Sequence, residues 1–229
     1  MKIIAVTKTL NEERNIDRFC RGYAWADLVL VADGGSTDAT VALARRHANV
    51  RVREFTLRRP MPGTPEGFMN PEPQHLNFII DWAIAEGADW IILDGADCWP
   101  NAVLKRDARR ILEETVEPAV HLHRLYLWGT DEYFPKYNVS HALWAWRPAD
   151  IDIRSAEDSD TSFDSPMLGI DVARARLLDP PCVCLHYCFP DEAEVARKMA
   201  RYAAWGHPMV HPLESIYAPP EPLPEWAHE

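Results

Sequence analysis

Leu28-Val-Leu-Val-Ala-Asp33-Gly-Gly-Ser-Thr-Asp38-Ala-Thr40 is the stretch from which the fold can be read. Its apolar run, Leu28 to Val31, has the character of a short strand buried on both faces of a parallel sheet. Gly34-Gly35 breaks the run, and Ser36 or Thr37 is placed to cap a helix predicted to reach about His47. A strand, glycine turn and helix in this order set ligands at the carboxyl edge of an α/β sheet. Asp33 and Asp38 would repel a bare phosphate there, and the turn has neither GxGxxG nor the lysine of a P-loop. Two carboxylates suit hydrogen bonds to a base or ribose, or phosphates already neutralised by a metal. On the functional reading Asp33 is an exposed turn carboxylate that contributes little to packing; the plainer alternative is that Asp38 complements the helix dipole and Asp33 only makes the turn.

Upstream, Lys2–Val6 reads as the first strand and ends in Thr7-Lys-Thr-Leu10. Asn11 is a good N-cap, Glu12 and Glu13 fill a first turn, and Ile16, Phe19 and Tyr23 recur at helical spacing. Downstream, an alternating strand near Val50–Phe55 completes βαβαβ, the start of a doubly wound sheet. A loop rich in proline and glycine then runs from Thr56 to Pro73, long enough to suggest function. A helix near Gln74–Glu86, closed by Gly87, precedes a buried strand at Asp89–Leu93, and a further helix is predicted from about Asn101 to Glu114. Later strands are expected at Ala119–Leu127, Ala142–Arg147 and Cys182–Tyr187, with a helix at Asp191–Trp205. The acidic stretch Asp150–Asp164 reads as a loop. Residues 1–206 form one domain in this reading, and the proline-rich 207–229 form a tail wrapped on the body or partly disordered.

The chain has 229 residues, 47% of them apolar and 26% charged, which fits one soluble α/β domain. A formal net charge of -11 disfavours a nucleic-acid backbone as partner and favours a divalent cation if the ligand is an anion. No apolar run approaches a membrane span and no signal peptide precedes the first strand. Five cysteines, an odd number without a disulfide framework, point to a reducing cytoplasm.

Chemistry is expected at a second strand end. Asp94 and Asp97 follow a buried strand in Asp94-Gly-Ala-Asp97, and clustered carboxylates without lysine neighbours call for a cation. Hard oxygen donors suit Mg²⁺ or Mn²⁺. Cys182, Cys184, His186 and Cys188 alternate along one strand, about 6.5–7 Å apart, which is too far for four ligands to close on one zinc ion. His186, at the end of that strand, is the residue there that invites chemistry. His121 and His123 are read as structural, and Asn138-Val-Ser140 as a glycosylation pattern without consequence in a cytoplasm.

With these residues placed, the chain resembles the family 2 glycosyltransferases, of GT-A fold. The resemblance rests on Thr7…Asn11-Glu12-Glu13…Asn15-Ile16, on Asp33-Gly-Gly-Ser-Thr-Asp38-Ala-Thr40, and on Asn77 upstream of Asp94-Gly-Ala-Asp97. His186-Tyr187 followed by Lys198 and Tyr202 is similar to the end of the domain in short, lipopolysaccharide-core-type members. The resemblance covers residues 1–100 closely and the remainder loosely. It implies an α/β fold with a mixed, mainly parallel sheet flanked by helices. The implied activity is inverting transfer of a hexosyl group from a UDP- or GDP-sugar to an acceptor hydroxyl, with Mn²⁺ or Mg²⁺. Carried over by position, Thr7, Glu12 and Asp33 hold base and ribose, and Asn11, Gly35, Asp38 and Asn77 complete the nucleotide site. Asp94, Asp97 and His186 are the metal set. The family's Asp-X-Asp is one residue longer here, so either Asp97 binds metal alone, with Gly95 in the first aspartate's place, or both reach it from a widened turn. The catalytic base falls to the acidic loop, with Glu157 or Asp158 as the candidates. The altered motif leaves open an inactive nucleotide- or sugar-binding module. A sugar nucleotidyltransferase is disfavoured, because the glycine-rich Arg/Lys loop expected after the first strand is replaced by Thr7-Lys-Thr-Leu-Asn-Glu-Glu.

Overall fold

The computed structural model describes residues 1–64, 66–129, 132–133, 141–155, 167–168, 172–189, 191–204 and 221–228. Strands β1 (Ile3–Thr9), β2 (Leu28–Asp33) and β3 (Val50–Glu54) alternate with helices α1 (Ile16–Gly22) and α2 (Thr40–Ala44). The short strands β4 (Arg59–Pro60) and β5 (Phe68–Met69) form a hairpin within the proline-rich loop, ahead of α3 (Glu72–Ala85) and β6 (Trp90–Leu93). Then come β7 (Cys98–Pro100), α4 (Ala102–Glu114), β8 (Ala119–Trp128), β9 (Glu132–Tyr133) and β10 (His141–Trp146). Last are β11 (Arg154–Ser155), β12 (Met167–Leu168), β13 (Ala175–Phe189), α5 (Glu192–Ala204) and β14 (Glu221–Pro222).

One ten-stranded sheet carries the fold, in the order β14-β9-β8-β10-β6-β1-β2-β3, with β13 paired to β8 and β7. Its N-terminal half, β3-β2-β1-β6, is wholly parallel, as the βαβαβ reading requires. Antiparallel β10 joins β6 to β8, and β13 runs parallel to β8. The strands are apolar on both faces because helices cover both. Ile3, Ala5, Val29, Val31 and Ile92 pack under α1 and α4, while Ile4, Val6, Leu30 and Ile91 pack under α3. A smaller cluster of Trp99, Leu125, Leu127, Val183 and Leu185 is closed by Leu223 and Ala227, so the described part of the C-terminal tail is docked on the body.

Three expectations change. Asn11 does not cap a helix: it adopts φ 58°, and α1 begins only at Ile16. The second helix is shorter than predicted, because Asp38 rather than Ser36 or Thr37 receives the Thr40 N–H, at 2.9 Å, and α2 starts there. Finally, β13 extends well before Cys182. Prolines 180 and 181, which donate no hydrogen bond, sit where its register against β8 jumps between Leu178↔Leu122 and Val183↔His123. A strand interrupted in this way shows no period across the break. By contrast, α4 spans Ala102–Glu114, close to the range expected, and the Asn101 side chain caps it by accepting from Leu104 N at 3.0 Å. Among the described residues no helix is long and apolar enough to cross a membrane.

Candidate functional site

Register brings the ends of β1 and β2 together, Thr9 opposite Asp33. Asp33 is 4% exposed and fully engaged. Its Oδ1 accepts from Thr9 Oγ1 at 3.0 Å and Ser36 Oγ at 2.5 Å, and its Oδ2 from the Gly35 and Ser36 amides at 3.0 and 2.9 Å. The expected exposed turn carboxylate is therefore a buried organiser of the turn. The loops after β1 and β2 are then zipped together. Asn11 N donates to Ser36 Oγ (2.8 Å) and Asn11 Oδ1 accepts from Thr37 N (2.9 Å). Glu12 N donates to Thr40 Oγ1 (2.7 Å), Glu13 N to Asp38 Oδ2 (3.1 Å), and Ala39 N to Glu13 Oε2 (3.1 Å). Thr7 is wholly buried in β1.

The glycine pair has a second reason to be glycine. A Cβ on Gly34 would lie 2.0 Å from Asn70 Oδ1, and one on Gly35, at φ 98°, would lie 2.1 Å from an Arg58 nitrogen. Arg58 and Asn70 belong to the proline-rich loop, which thus folds down onto the turn; Asn70 Nδ2 donates to the Gly34 and Leu57 carbonyls at 3.2 and 3.1 Å. Beneath it, His75 stacks on Phe55 at 4.3 Å with its Nε2 2.9 Å from the Ala32 carbonyl oxygen, and Lys8 pairs with Glu72. Burial, aided by the Lys8 charge, pushes the His75 pKa down to about 3. None of Arg58, Asn70, Lys8 and His75 stands out in sequence, because their partners lie in other segments.

At the end of β6 the two aspartates part company. The Asp94 side chain is completely buried. Arg124 NH2 donates to its Oδ1 at 2.8 Å, and Tyr23 OH and Cys184 Sγ (3.2 Å) donate to its Oδ2. Burial first, and the Asp94 charge second, hold the Tyr23 phenol and the Cys184 thiol well above their usual pKa values, so both stay protonated donors. Asp94 is accordingly a buried ion-pair and hydrogen-bond partner in the core.

Asp97 instead meets His186, 89 residues away in sequence, with His186 Nε2 3.3 Å from Asp97 Oδ2. Pairing of β7 with β13 sets His186 opposite Cys98, which sequence reasoning did not single out. One ligand atom from each of Asp97, Cys98 and His186 lies within 4.8 Å of the others. Burial and the Asp97 charge push the Cys98 thiol pKa well above its usual value. The imidazole packs against Tyr126, centroids 4.9 Å apart, and buries an Nδ1 that has no hydrogen-bond partner among the described residues. A carboxylate and an imidazole at one strand edge are donors that Mn²⁺ accepts, so these two residues fit a divalent ion. Asp94 is not part of that group, whose ligand atoms come from Asp97, Cys98 and His186. A Cβ on Gly95 would lie 2.7 Å from Asp97 Oδ1, so glycine there leaves that carboxylate its place.

Asn77 grips the backbone of β11 at both ends of one residue: Nδ2 donates to Ser155 O at 3.0 Å and Oδ1 accepts from Ser155 N at 2.8 Å. The acidic segment leaves from that point, and Glu157 and Asp158 lie outside the described residues.

Comparison with known protein families and with curated proteins finds no match to the sequence. Solved structures do match. The fragment 1–349 of S. aureus TarS superposes with TM-score 0.58 at 16% identity, over 89% of this chain and 63% of that one. The same fragment in complex with UDP gives TM-score 0.55 at 15% identity, over 94% and 68%. Glucosyl-3-phosphoglycerate synthase from Mycobacterium tuberculosis, with Mn²⁺ and UDP-glucose, gives 0.51 at 17% identity, over 91% and 80%. This chain thus spans about 63% of the length of the TarS fragment. The likeness is one of fold: a single α/β domain of GT-A type, with helices on both faces of its sheet.

Proposed function

We propose that the protein is a nucleotide-sugar glycosyltransferase that takes a UDP-linked donor and a divalent metal, Mn²⁺ before Mg²⁺, and delivers the sugar with inversion to an acceptor hydroxyl. The observation that carries this reading is the meeting of Asp97 and His186 at 3.3 Å. A GT-A fold alone is compatible with many activities. A carboxylate and an imidazole brought from strands far apart in sequence to the same edge as the Asp33 turn are what a diphosphate–metal site needs. Support for uridine comes from neighbours of the same fold, TarS in complex with UDP and glucosyl-3-phosphoglycerate synthase in complex with Mn²⁺ and UDP-glucose.

In this reading Asp97 and His186 hold the ion, with His186 oriented by the Tyr126 ring. When bound, the ion stabilises charge developing on the leaving diphosphate. Asn11, Glu12, Asp33, Gly35 and Asp38 contribute a rigid, hydrogen-bonded rim at the base and ribose rather than free carboxylates, whereas Thr7, buried in β1, supports the strand and not the rim. Arg58 and Asn70 close the proline-rich loop over that rim. Asn77 fixes Ser155, from which the acidic segment carries Glu157 or Asp158 to the acceptor hydroxyl as the base. We place the whole reaction on residues 1–206, in the cytoplasm.

The test is UDP affinity with and without Mn²⁺. Wild type should show a coupling of roughly 5–150-fold; Asp97→Ala should abolish it and His186→Ala should reduce it. Equal affinity in the two conditions overturns the reading. Turnover is read separately, as UDP release from UDP-sugars. Glu157→Gln or Asp158→Asn should lower that rate far more than donor affinity. One observation favours a second reading, a module that binds nucleotide without turnover: Asp94 is locked to Arg124 and leaves a single aspartate at the edge. Metal-coupled UDP binding without UDP release from any donor and acceptor would select it.

A further inference from the structure

Cys98 stands at the Asp97–His186 edge, and the donor site leaves it without a task. A buried cysteine ordinarily serves as a small apolar group. Cys98, a free thiol only 2% exposed, instead has its sulfur beside a carboxylate. Three donors of different kinds meet there, with one ligand atom from each of Asp97, Cys98 and His186 within 4.8 Å of the other two. The Asp97 carboxylate stands between its neighbours. The Cys98 thiol faces its Oδ1 at 3.8 Å, and His186 Nε2 lies 3.3 Å from its Oδ2.

Backbone pairing holds these donors in place. Cys98 lies directly opposite His186 in the β7–β13 ladder, so the two side chains share one face of the sheet. Tyr187 N donates to the Asp97 carbonyl at 2.7 Å, and Cys98 N to the Gly95 carbonyl at 2.9 Å. A Cβ on Gly95 would stand 2.7 Å from Asp97 Oδ1 and 3.7 Å from the Cys98 sulfur, so glycine leaves that side of both donors open.

We propose that Cys98 is a third ligand at this edge, and that the three residues together bind a thiophilic divalent ion, Zn²⁺, without any nucleotide. The inference rests on the metal site proposed above for Asp97 and His186 and adds the sulfur. Zinc accepts oxygen, nitrogen and sulfur in one set, whereas Mn²⁺ favours oxygen and gains little from a thiolate. Zinc bonds of about 2.0–2.3 Å put the ligand atoms of a tetrahedron roughly 3.3–3.8 Å apart, so the three atoms need to draw in by little more than about 1 Å. When the ion binds, the Cys98 S–H bond breaks, its electron pair goes to the metal and its proton to solvent. Three protein ligands leave the fourth tetrahedral position to water or a phosphate oxygen. Mn²⁺ should need a diphosphate to complete its shell here, and Zn²⁺ should not.

The probe is Co²⁺, which takes up zinc's geometry and reports sulfur ligation as a charge-transfer absorption in the near ultraviolet. The full chain, reduced and free of nucleotide, is titrated with Co²⁺ and then with Zn²⁺. A saturable sulfur-to-cobalt band is expected, bleached by Zn²⁺ and not by an equal amount of Mn²⁺. Cys98→Ser should lose the band, and calorimetry should show Zn²⁺ bound at least about tenfold more weakly, as it should in His186→Ala. Cys182→Ser, which alters a partly exposed thiol of β13 outside the set, should keep both the band and the affinity. Thermal unfolding of each variant confirms that it is folded. The proposal is overturned if saturating Co²⁺ gives no such band in the wild type. It is overturned equally if the band survives in Cys98→Ser or disappears in Cys182→Ser, or if His186→Ala binds Zn²⁺ as well as the wild type. That wild-type band decides the matter even where a variant fails to fold. No UDP takes part, so a missing band leaves the transferase reading to its own test, the Mn²⁺ dependence of UDP binding, and failure of that test leaves the sulfur ligand standing.

Discussion

Asp94 and Asp97 are three residues apart and chemically identical, yet their substitution should have opposite consequences. Asp94 shares a buried ion pair with Arg124, so removing one partner strands the other. Asp94→Asn should cost about 3–5 kcal/mol of stability, and the double variant Asp94→Asn/Arg124→Met should recover much of it. Chemical denaturation of the two variants checks this; a single variant as stable as wild type would contradict the network. Asp97→Ala should leave stability nearly unchanged and act on metal coupling alone. Asp33 belongs with Asp94: four donors lose their acceptor in Asp33→Ala, two of them backbone amides. A loss of about 2–4 kcal/mol is expected, read from the urea midpoint. The position of both aspartates at strand ends was legible in the sequence, because apolar runs precede them. Their fate was not, because Asp94's partners Tyr23, Arg124 and Cys184 come from three distant segments.

The glycine turn and the proline-rich loop behave as a single unit. The Asp33-Gly34-Gly35 turn was legible because glycine and aspartate mark a strand-to-helix turn. What the glycines make room for was not, since Arg58 and Asn70 arrive through tertiary folding. Gly34→Ala should push Asn70 away, costing about 1–3 kcal/mol, and should speed proteolysis within residues 56–70. Shortening the neighbour in Gly34→Ala/Asn70→Gly should relieve the clash; proteolysis at the wild-type rate in the single variant would show that the loop does not rest on the turn. The long strand β13 teaches the same lesson in reverse. Its second half was visible in the alternating Cys182–Tyr187, whereas its first half was hidden behind two prolines that a register shift accommodates.

Across the whole molecule, the parallel half of the sheet followed from βαβαβ periodicity, and the mixed half did not, since strand order depends on long-range pairing. Stability should also depend on pH through one buried group that belongs to the sheet as much as to its helix. His75 is held neutral, with a folded pKa of about 3 against 6.5 for the free side chain. The unfolded chain therefore takes up a proton that the native state refuses, and stability present above pH 6.5 drains away as pH falls towards 3. The loss should be about 2 kcal/mol between pH 6.5 and 5. It should disappear in His75→Gln, which keeps a donor for the Ala32 carbonyl and cannot titrate; an identical acid slope in the variant would remove His75 as the cause.

The insertion of β10 between β6 and β8 has a consequence for the nascent chain. The strands β3-β2-β1-β6 can pair as soon as residues 1–93 have emerged, but the outer edge of β6 waits for residues 141–146. Until then Ile91 and Ile92 sit on an uncovered edge whose N–H and C=O groups offer a template to any passing strand. A fragment of residues 1–118 should for this reason self-associate in a concentration-dependent way, seen by analytical ultracentrifugation. If that fragment stays monomeric, the edge is protected by other means. The segment that completes the sheet is, on this view, also what shields the chain from its own neighbours while it is being made.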